Sequence, residues 1–334
     1  MALSAVSEVP AAALTGPGTC TPVRVRRIEY AAVDTHLVEL ESLDGRDLPA
    51  VSAGAHVDIR LPAAAALATT SRVRQYSLVR PLCSGSRYVL GVRRDDTGRG
   101  GSRWIHDELR VGSTLEIGAP RNTFALDESA ASYVLIAGGI GITPVISMLD
   151  RLTELGRPVR MHYFCRSPEH AVFADLLAGD HRVAVHYGRG DGTRLRTALV
   201  AADRDAAVYC CGPETMTGEV TALAGERGQP VHVERFANAA PAPADRGGFT
   251  VVLAGRGVEI GVAAGRSILE AVLDAGVDVP FSCEEGVCGA CETTVVSGEP
   301  VHFDTVRAPA EHNERRTVMI CCARSRSEKL VLDI

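Results

Sequence analysis

Between residues 21 and 127, hydrophobic and polar positions alternate in short runs, such as 23–28, 56–61 and 88–92, parted by Gly, Pro and Asp turns. Closely spaced runs of period two predict an antiparallel β-barrel. The rhythm changes near residue 129. Continuous apolar runs at 133–137, 159–164, 183–186 and 207–210 alternate with stretches of helical spacing, the first of them over 144–152. Strands apolar on both faces, separated by helices, predict a parallel sheet covered on both sides. Residues 237–246, Ala-Asn-Ala-Ala-Pro-Ala-Pro-Ala-Asp-Arg, carry no periodicity and two prolines, the composition of a linker. Beyond it, 249–254 and 258–262 predict a hairpin and 267–275 a short helix, after which a cysteine-rich loop begins. The expected organisation is a flexible extension over 1–20, a barrel over 21–127, an α/β domain over 128–236, a linker over 237–247 and a terminal domain over 248–334.

Composition narrows the function more than the fold. The 334 residues suit two or three domains. No uninterrupted apolar stretch approaches the roughly 18 residues of a spanning helix, and the N-terminus lacks a basic, then apolar, leader. A cytoplasmic protein without a membrane partner is expected. A net charge of −6 argues against general nucleic-acid binding. That charge is uneven: residues 248–334 hold 8 basic against 13 acidic side chains, or −5. Five of the ten cysteines lie between Cys283 and Cys322, a clustering that suits a metal site better than a secreted disulfide framework.

Cys283-Glu-Glu-Gly-Val-Cys288-Gly-Ala-Cys291 reads C-x4-C-x2-C, and Cys321 follows after 29 intervening residues. This is the plant-type [2Fe–2S] spacing. Three thiolates must converge from one tight loop, so Gly286 and Gly289 let the backbone bend inward and aim N–H groups at sulfur. A structural zinc site prefers two C-x2-C knuckles, and the adjacent pair Cys321-Cys322 cannot easily chelate one ion. Cys321, rather than Cys322, is the expected fourth ligand.

Two further sets of residues carry chemistry. In the barrel region, Arg74-Gln-Tyr76-Ser77 offers a phosphate partner, an aromatic face and a hydroxyl. Gly91-Val92-Arg93-Arg94 and Gly98-Arg-Gly100-Gly101-Ser102-Arg103 follow, the latter a turn able to wrap a phosphate with backbone N–H groups. In the α/β region, Gly138-Gly139-Ile-Gly141-Ile-Thr143-Pro144 joins a strand to a helix. It is not the G-x-G-x-x-G fingerprint, yet it serves the same physics: close backbone approach and a helix start facing a pyrophosphate. Pro144 is expected at the first helical position. Tyr209-Cys-Cys211-Gly212-Pro213, with Met216, ends a later strand, where open α/β sheets bind ligands.

Residues 248–334 resemble the plant-type ferredoxin domain. In this order, the three sets resemble the ferredoxin–NADP reductase superfamily and, within it, the phthalate dioxygenase reductase family with its vanillate O-demethylase reductases, over about residues 21–334. The resemblance implies a multidomain fold: an antiparallel β-barrel flavin domain, an α/β parallel-sheet nucleotide domain and an α+β (β-grasp) ferredoxin domain. It implies flavin contacts from Arg74, Tyr76, Ser77, Val92, Arg93, Gly100, Gly101 and Ser102, with FMN rather than FAD at the compact Gly-Gly-Ser turn. It further implies pyrophosphate at Gly139, Gly141 and Thr143, nicotinamide near Cys211, Gly212 and Pro213, a flavin contact from Thr143, and Phe236 packed by the isoalloxazine. Arg166 and Ser167 follow the second strand of the domain, where an adenosine 2′-phosphate could bind, but NADH is the expected coenzyme. Ser77 and Cys211 are the candidate catalytic residues. The cluster ligands would be Cys283, Cys288, Cys291 and Cys321.

One chemical argument joins these sites. Nicotinamide gives up two electrons together, a [2Fe–2S] cluster accepts one at a time, and flavin can do both. The implied function is an electron-transfer reductase component of a multicomponent oxygenase, passing electrons outward from NADH through FMN and the cluster to a Rieske-type non-haem iron oxygenase acting on an aromatic compound. A bacterial cytochrome P450 is the alternative acceptor, and a flavin/Fe–S redox sensor an alternative of another class. Glu284 and Glu285 would suit a docking face for the acceptor. A monomer is expected.

Overall fold

β1 (Thr21–Ala32) pairs with β2 (Thr35–Ser42), and together they set the frame of the N-terminal sheet. The computed structural model describes residues 20–62, 73–188, 192–236, 247–306, 312 and 316–334. Residues 1–19 of the expected extension and 237–246 of the expected linker therefore lie outside the described residues. β3 (His56–Arg60), β4 (Val73–Ser77), β5 (Arg87–Arg93) and β6 (Thr114–Ile117) complete a six-stranded sheet of order β4-β3-β6-β1-β2-β5. A bridge between Leu78 and Leu90 joins the two edge strands, so the sheet closes. Closure leaves no open edge. Val25, Leu40, Val57, Ile59, Leu90 and Ile117 fill the interior. A short helix, α1 (Gly101–Asp107), lies between β5 and β6.

β7 (Tyr133–Gly138) opens a second sheet and is buried along its whole length. α2 (Ile142–Glu154) follows after one 3-10 turn, Gly139–Gly141. β8 (Val159–Cys165), α3 (Ala174–Leu177), β9 (Val183–Tyr187), α4 (Gly192–Val200), β10 (Ala207–Cys211), α5 (Glu214–Arg227) and β11 (Val231–Glu234) continue the alternation. The order is β11-β10-β7-β8-β9 and every pairing is parallel. The winding reverses between β7 and β10, which makes their carboxyl ends the topological switch point. Pro144 corrects one expectation: it is the third residue of α2, not the first. The first four N–H groups of a helix lack intrahelical partners, so a proline is tolerated there as well.

The barrel and the parallel sheet form one unit, Cys20–Ala239, with a common core. Ala53, Val79, Val89 and Phe124 from the barrel side pack in the same cluster as Tyr133, Leu135, Val145 and Tyr209. The fully buried Ser147 of α2 donates to Leu78 O at 2.9 Å and accepts from Arg80 N at 3.0 Å. Arg80 also reaches Asp150 and, at 2.7 Å, Glu154 on the same helix.

The C-terminal unit, Ala240–Ile334, is built on β12 (Phe249–Leu253), β13 (Val258–Val262), α6 (Ile268–Asp274), β14 (Glu292–Ser297), β15 (Pro300–Val301), β16 (Thr317–Met319), β17 (Arg324–Ser325) and β18 (Lys329–Leu332). Its main sheet has the order β13-β12-β18-β14-β16, with β12 and β18 parallel. Ser267 caps α6 in a reciprocal capping box with Glu270. Ile268, Leu269 and Val272 of that helix pack on Val251, Leu253 and Leu330 of the sheet. The mixed sheet with one helix across it is the expected α+β ferredoxin architecture. Among the described residues, no helix is long and apolar enough to cross a membrane.

Candidate functional site

On the barrel side, Arg74 is buried and its guanidinium donates to Val73 O at 2.8 Å and Arg99 O at 3.0 Å. Its stem lies against Gly101: a Cβ there would meet Arg74 Nε at 2.4 Å and Cγ at 2.7 Å. Gly100 holds φ +83° at the start of α1, a conformation that disfavours side chains. Asp95 N donates to Ser102 Oγ at 3.0 Å, and Thr97 N donates to Asp95 Oδ1 at 3.0 Å, so the loop before the helix is curled on itself. The glycine turn, the guanidinium stem and the backbone N–H groups make a cradle that fits a phosphate. Half-buried Tyr76 stands beside Arg74, and burial pushes its phenol well above the usual range. Ser77 is buried and pairs with His56 across β3–β4.

At the end of β5, Val92 is buried and its carbonyl oxygen lies 3.0 Å from His106 Nε2, while Arg93 turns outward. His36, opposite Val92, stacks on His106 with centroids 4.0 Å apart. Burial, and then the neighbouring His106, lower the His36 pKa. One residue earlier, Gly91 meets the nucleotide-side helix: a Cβ would lie 2.6 Å from Thr143 Cγ2. Thr143 is buried and donates to Ile140 O at 3.0 Å.

At the switch point, the two glycine-bearing loops touch backbone to backbone. A Cβ on Gly141 would lie 2.3 Å from Cys211 O and 2.9 Å from Gly212 N. One on Gly138 would strike Pro213 Cδ at 2.7 Å and Met216 Sδ at 2.9 Å. Gly139 is different: it holds φ +54° with nothing within 4 Å of a would-be Cβ, so its backbone faces open space at the end of β7. The pair of loops fits a pyridine nucleotide laid across the carboxyl ends of β7 and β10. Arg166 lies exposed after β8, and Phe236 is 43% exposed two residues beyond β11.

Cys211 is fully buried. Its neighbour in the parallel register is Glu234, and the thiol and carboxyl lie within hydrogen-bonding reach. Burial, reinforced by Glu234, pushes the thiol far up, so Cys211 acts as a neutral donor rather than a thiolate. Burial likewise raises Glu234 to about 8, and its Oε2 is buried without a hydrogen-bond partner. α2 holds Leu78, next to Ser77, through Ser147, and Gly141, just before the helix, abuts the Cys211 carbonyl.

In the C-terminal unit, Cys283, Cys288, Cys291 and Cys321 are all buried. S–H donation from Cys288 and Cys321 draws the Cys283 thiol down, and the same contact pushes both donors up. Cys321 is also in contact with Cys291 and Cys322. The loop curls because Glu284, Gly286 and Gly289 take φ of +57°, +70° and +76°. Backbone N–H groups of Glu285 and Val287 consequently point at Cys283 sulfur, the former at 3.4 Å. Cys322 Sγ packs against the same loop, where it would be 2.6 Å from a Cβ on Gly286. Four convergent thiols with amide donors fit a [2Fe–2S] cluster.

Residues 251–326 match the family of 2Fe-2S iron-sulfur cluster binding domains. The chain is 44% identical to the phenoxybenzoate dioxygenase subunit beta of Ectopseudomonas oleovorans, over 96% of this chain and 100% of that protein. It is 36% identical to the solved phthalate dioxygenase reductase, described as a modular structure for electron transfer from pyridine nucleotides to [2Fe-2S]. That match has a TM-score of 0.73 and covers 94% of this chain and 98% of that one. The chain belongs to the phthalate dioxygenase reductase family. It is a flavin iron–sulfur oxidoreductase with a reductase barrel, a nucleotide-binding sheet and a [2Fe–2S] domain, as the motifs implied. An intact type IV self-sufficient cytochrome P450 monooxygenase is also similar, at 38% identity and TM-score 0.77, over 94% of this chain and 41% of that one.

Sequence reasoning missed Glu234 as a titrating group. The signal lay in the pairing of β10 with β11, which no local pattern reveals. Gly91 was quoted within its motif but not as a contact, since the need for glycine comes from Thr143, fifty-two positions away in the chain.

Proposed function

We propose that this protein is the reductase component of a multicomponent oxygenase. It takes electrons from NADH through FMN and a [2Fe–2S] cluster to a Rieske-type non-haem iron oxygenase that acts on an aromatic compound. The observation that carries the reading is the coexistence in one chain of the Gly138–Gly141/Cys211–Pro213 junction, the Arg74–Gly101 cradle and the four convergent thiols. When bound, the three groups supply two-electron uptake, electron splitting and one-electron relay.

The residues act by placement. Arg74, Gly100, Gly101 and Ser102 hold the flavin phosphate, Tyr76 covers a ring face, and Ser77 and Val92 border its polar edge. Gly139, Gly141 and Thr143 receive the pyrophosphate, while Cys211, Gly212 and Pro213 floor the nicotinamide pocket. Thr143 reaches the barrel at Gly91, which sets the two ligands against each other. Arg93 would border the flavin from outside, Arg166 would border the adenosine end, and Phe236 would pack by the isoalloxazine. Cys283, Cys288, Cys291 and Cys321 ligate iron. A monomer in the cytoplasm completes the proposal.

Likeness to the self-sufficient P450 favours a second reading, in which the acceptor is a separate P450. Steady-state assays test the chain of carriers. NADH oxidation coupled to ferricyanide should survive Cys288→Ser, because ferricyanide drains the flavin directly, while cytochrome c reduction should fall to background. Equal loss of both activities would contradict the relay. Mixing the reduced protein with a Rieske oxygenase or with a P450 then distinguishes the acceptors by the rate of reoxidation.

A further inference from the structure

We propose that Cys322, which ligates no iron, is a positioning residue for electron transfer: its thiol donates a hydrogen bond to the Cys321 sulfur and raises the cluster's reduction potential. The inference rests on the reading of Cys283, Cys288, Cys291 and Cys321 as the ligands.

Cys322 is buried against the ligand loop. Its Sγ would lie 2.6 Å from a Cβ on Gly286, so the sulfur fills the space that this glycine leaves open. Gly286 stands between Glu285 and Val287, whose N–H groups serve the Cys283 sulfur. Cys321 touches the thiols of Cys283, Cys291 and Cys322, of which the last is no ligand. The Cys322 thiol is thus set between the fourth ligand and the loop that carries the first.

The backbone after Cys321 leaves the donation to a side chain. The N–H groups of Cys322 and Ala323 both turn to Met319 O, at 3.1 and 2.9 Å. A carbonyl oxygen has two lone pairs, and these two bonds occupy them. The Cys322 Sγ also approaches that oxygen, at 3.7 Å, as a third and longest contact. An iron-bound thiolate carries negative charge, and hydrogen bonds to charged acceptors are about twice as strong as neutral ones. The S–H of Cys322 therefore turns to the Cys321 sulfur once that sulfur binds iron. Reduction adds negative charge to the cluster and its ligands, so a donor at that sulfur stabilises the reduced form more than the oxidised form. A thiol that only filled space would tune nothing, and a small apolar side chain would serve as well.

The test is a redox titration of the full, cluster-loaded protein, followed by EPR, with iron counted in each variant. Cys322→Ala should keep its iron, while the ratio of reduced to oxidised cluster at the wild-type midpoint falls about tenfold, a downward shift of about 59 mV for one electron. Cys322→Ser, which restores a donor, should recover most of that shift. In the wild type, exchange into D2O should replace a proton coupling in the ENDOR spectrum that the alanine variant lacks. A potential unmoved by alanine, a serine variant shifted as far as the alanine one, or identical exchangeable couplings in wild type and alanine variant would each overturn the proposal alone. Absence of a [2Fe–2S] signal from the wild type would overturn the ligand reading and the proposal with it. If alanine costs iron, Cys322→Thr and Cys322→Val, alike in shape and unlike in the hydroxyl, repeat the comparison, with the higher potential expected for threonine and equal potentials contradicting the hydrogen bond.

Discussion

Burial of single polar groups sets the electrostatics of the nucleotide side. Glu234 is held protonated to about pH 8 because its carboxyl is desolvated, whereas in the unfolded chain it ionises near the ordinary carboxylate value. Between those two pH values the folded protein binds more protons than the unfolded one, so this group's contribution to stability falls as pH rises. Glu234→Gln should flatten that slope between about pH 4.5 and 8, as followed by melting temperature against pH; an unchanged slope would mean the carboxyl is solvated. Glycines matter at the same scale. Gly141→Ala would push a Cβ to 2.3 Å from the Cys211 carbonyl, so thermal unfolding should show a loss of about 1–3 kcal/mol, with KM for NADH raised and flavin retained. The glycine motif was legible as a turn. Its reason, a second backbone pressed against it, was not, because that contact is tertiary.

Elements carry the coupling between ligands. α2 starts at the nucleotide loop, abuts Gly91 of the barrel through Thr143 and ties down Leu78 and Arg80 through Ser147. Ser147→Ala would strand a buried carbonyl and a backbone N–H, and urea unfolding should register about 1–3 kcal/mol of destabilisation. Apolar periodicity gave β1, β3 and β5 of the barrel, β7 to β10 of the parallel sheet and the helix after β7, since each has a whole face to bury. It misplaced the helix start by two residues, because the unpaired first turn lets Pro144 occupy its third position as readily as its first. The cysteine loop was the most readable element, as ligand spacing is a local property. The choice of Cys321 over Cys322 turns on which sulfur faces the other thiols. Iron analysis should find the cluster lost in Cys321→Ser and kept in Cys322→Ser; the reverse pattern would move the fourth ligand.

At the scale of the whole molecule, the order of the domains was legible because each carries its own motif, and the match to the phthalate dioxygenase reductase family spans nearly the entire chain. The central claim is that one chain converts paired electrons from NADH into single electrons on a cluster. An anaerobic titration with NADH, followed by flavin absorbance and by EPR, tests it most directly. The account predicts flavin bleaching together with the signal of a one-electron-reduced [2Fe–2S] centre; bleaching with no such signal would contradict it.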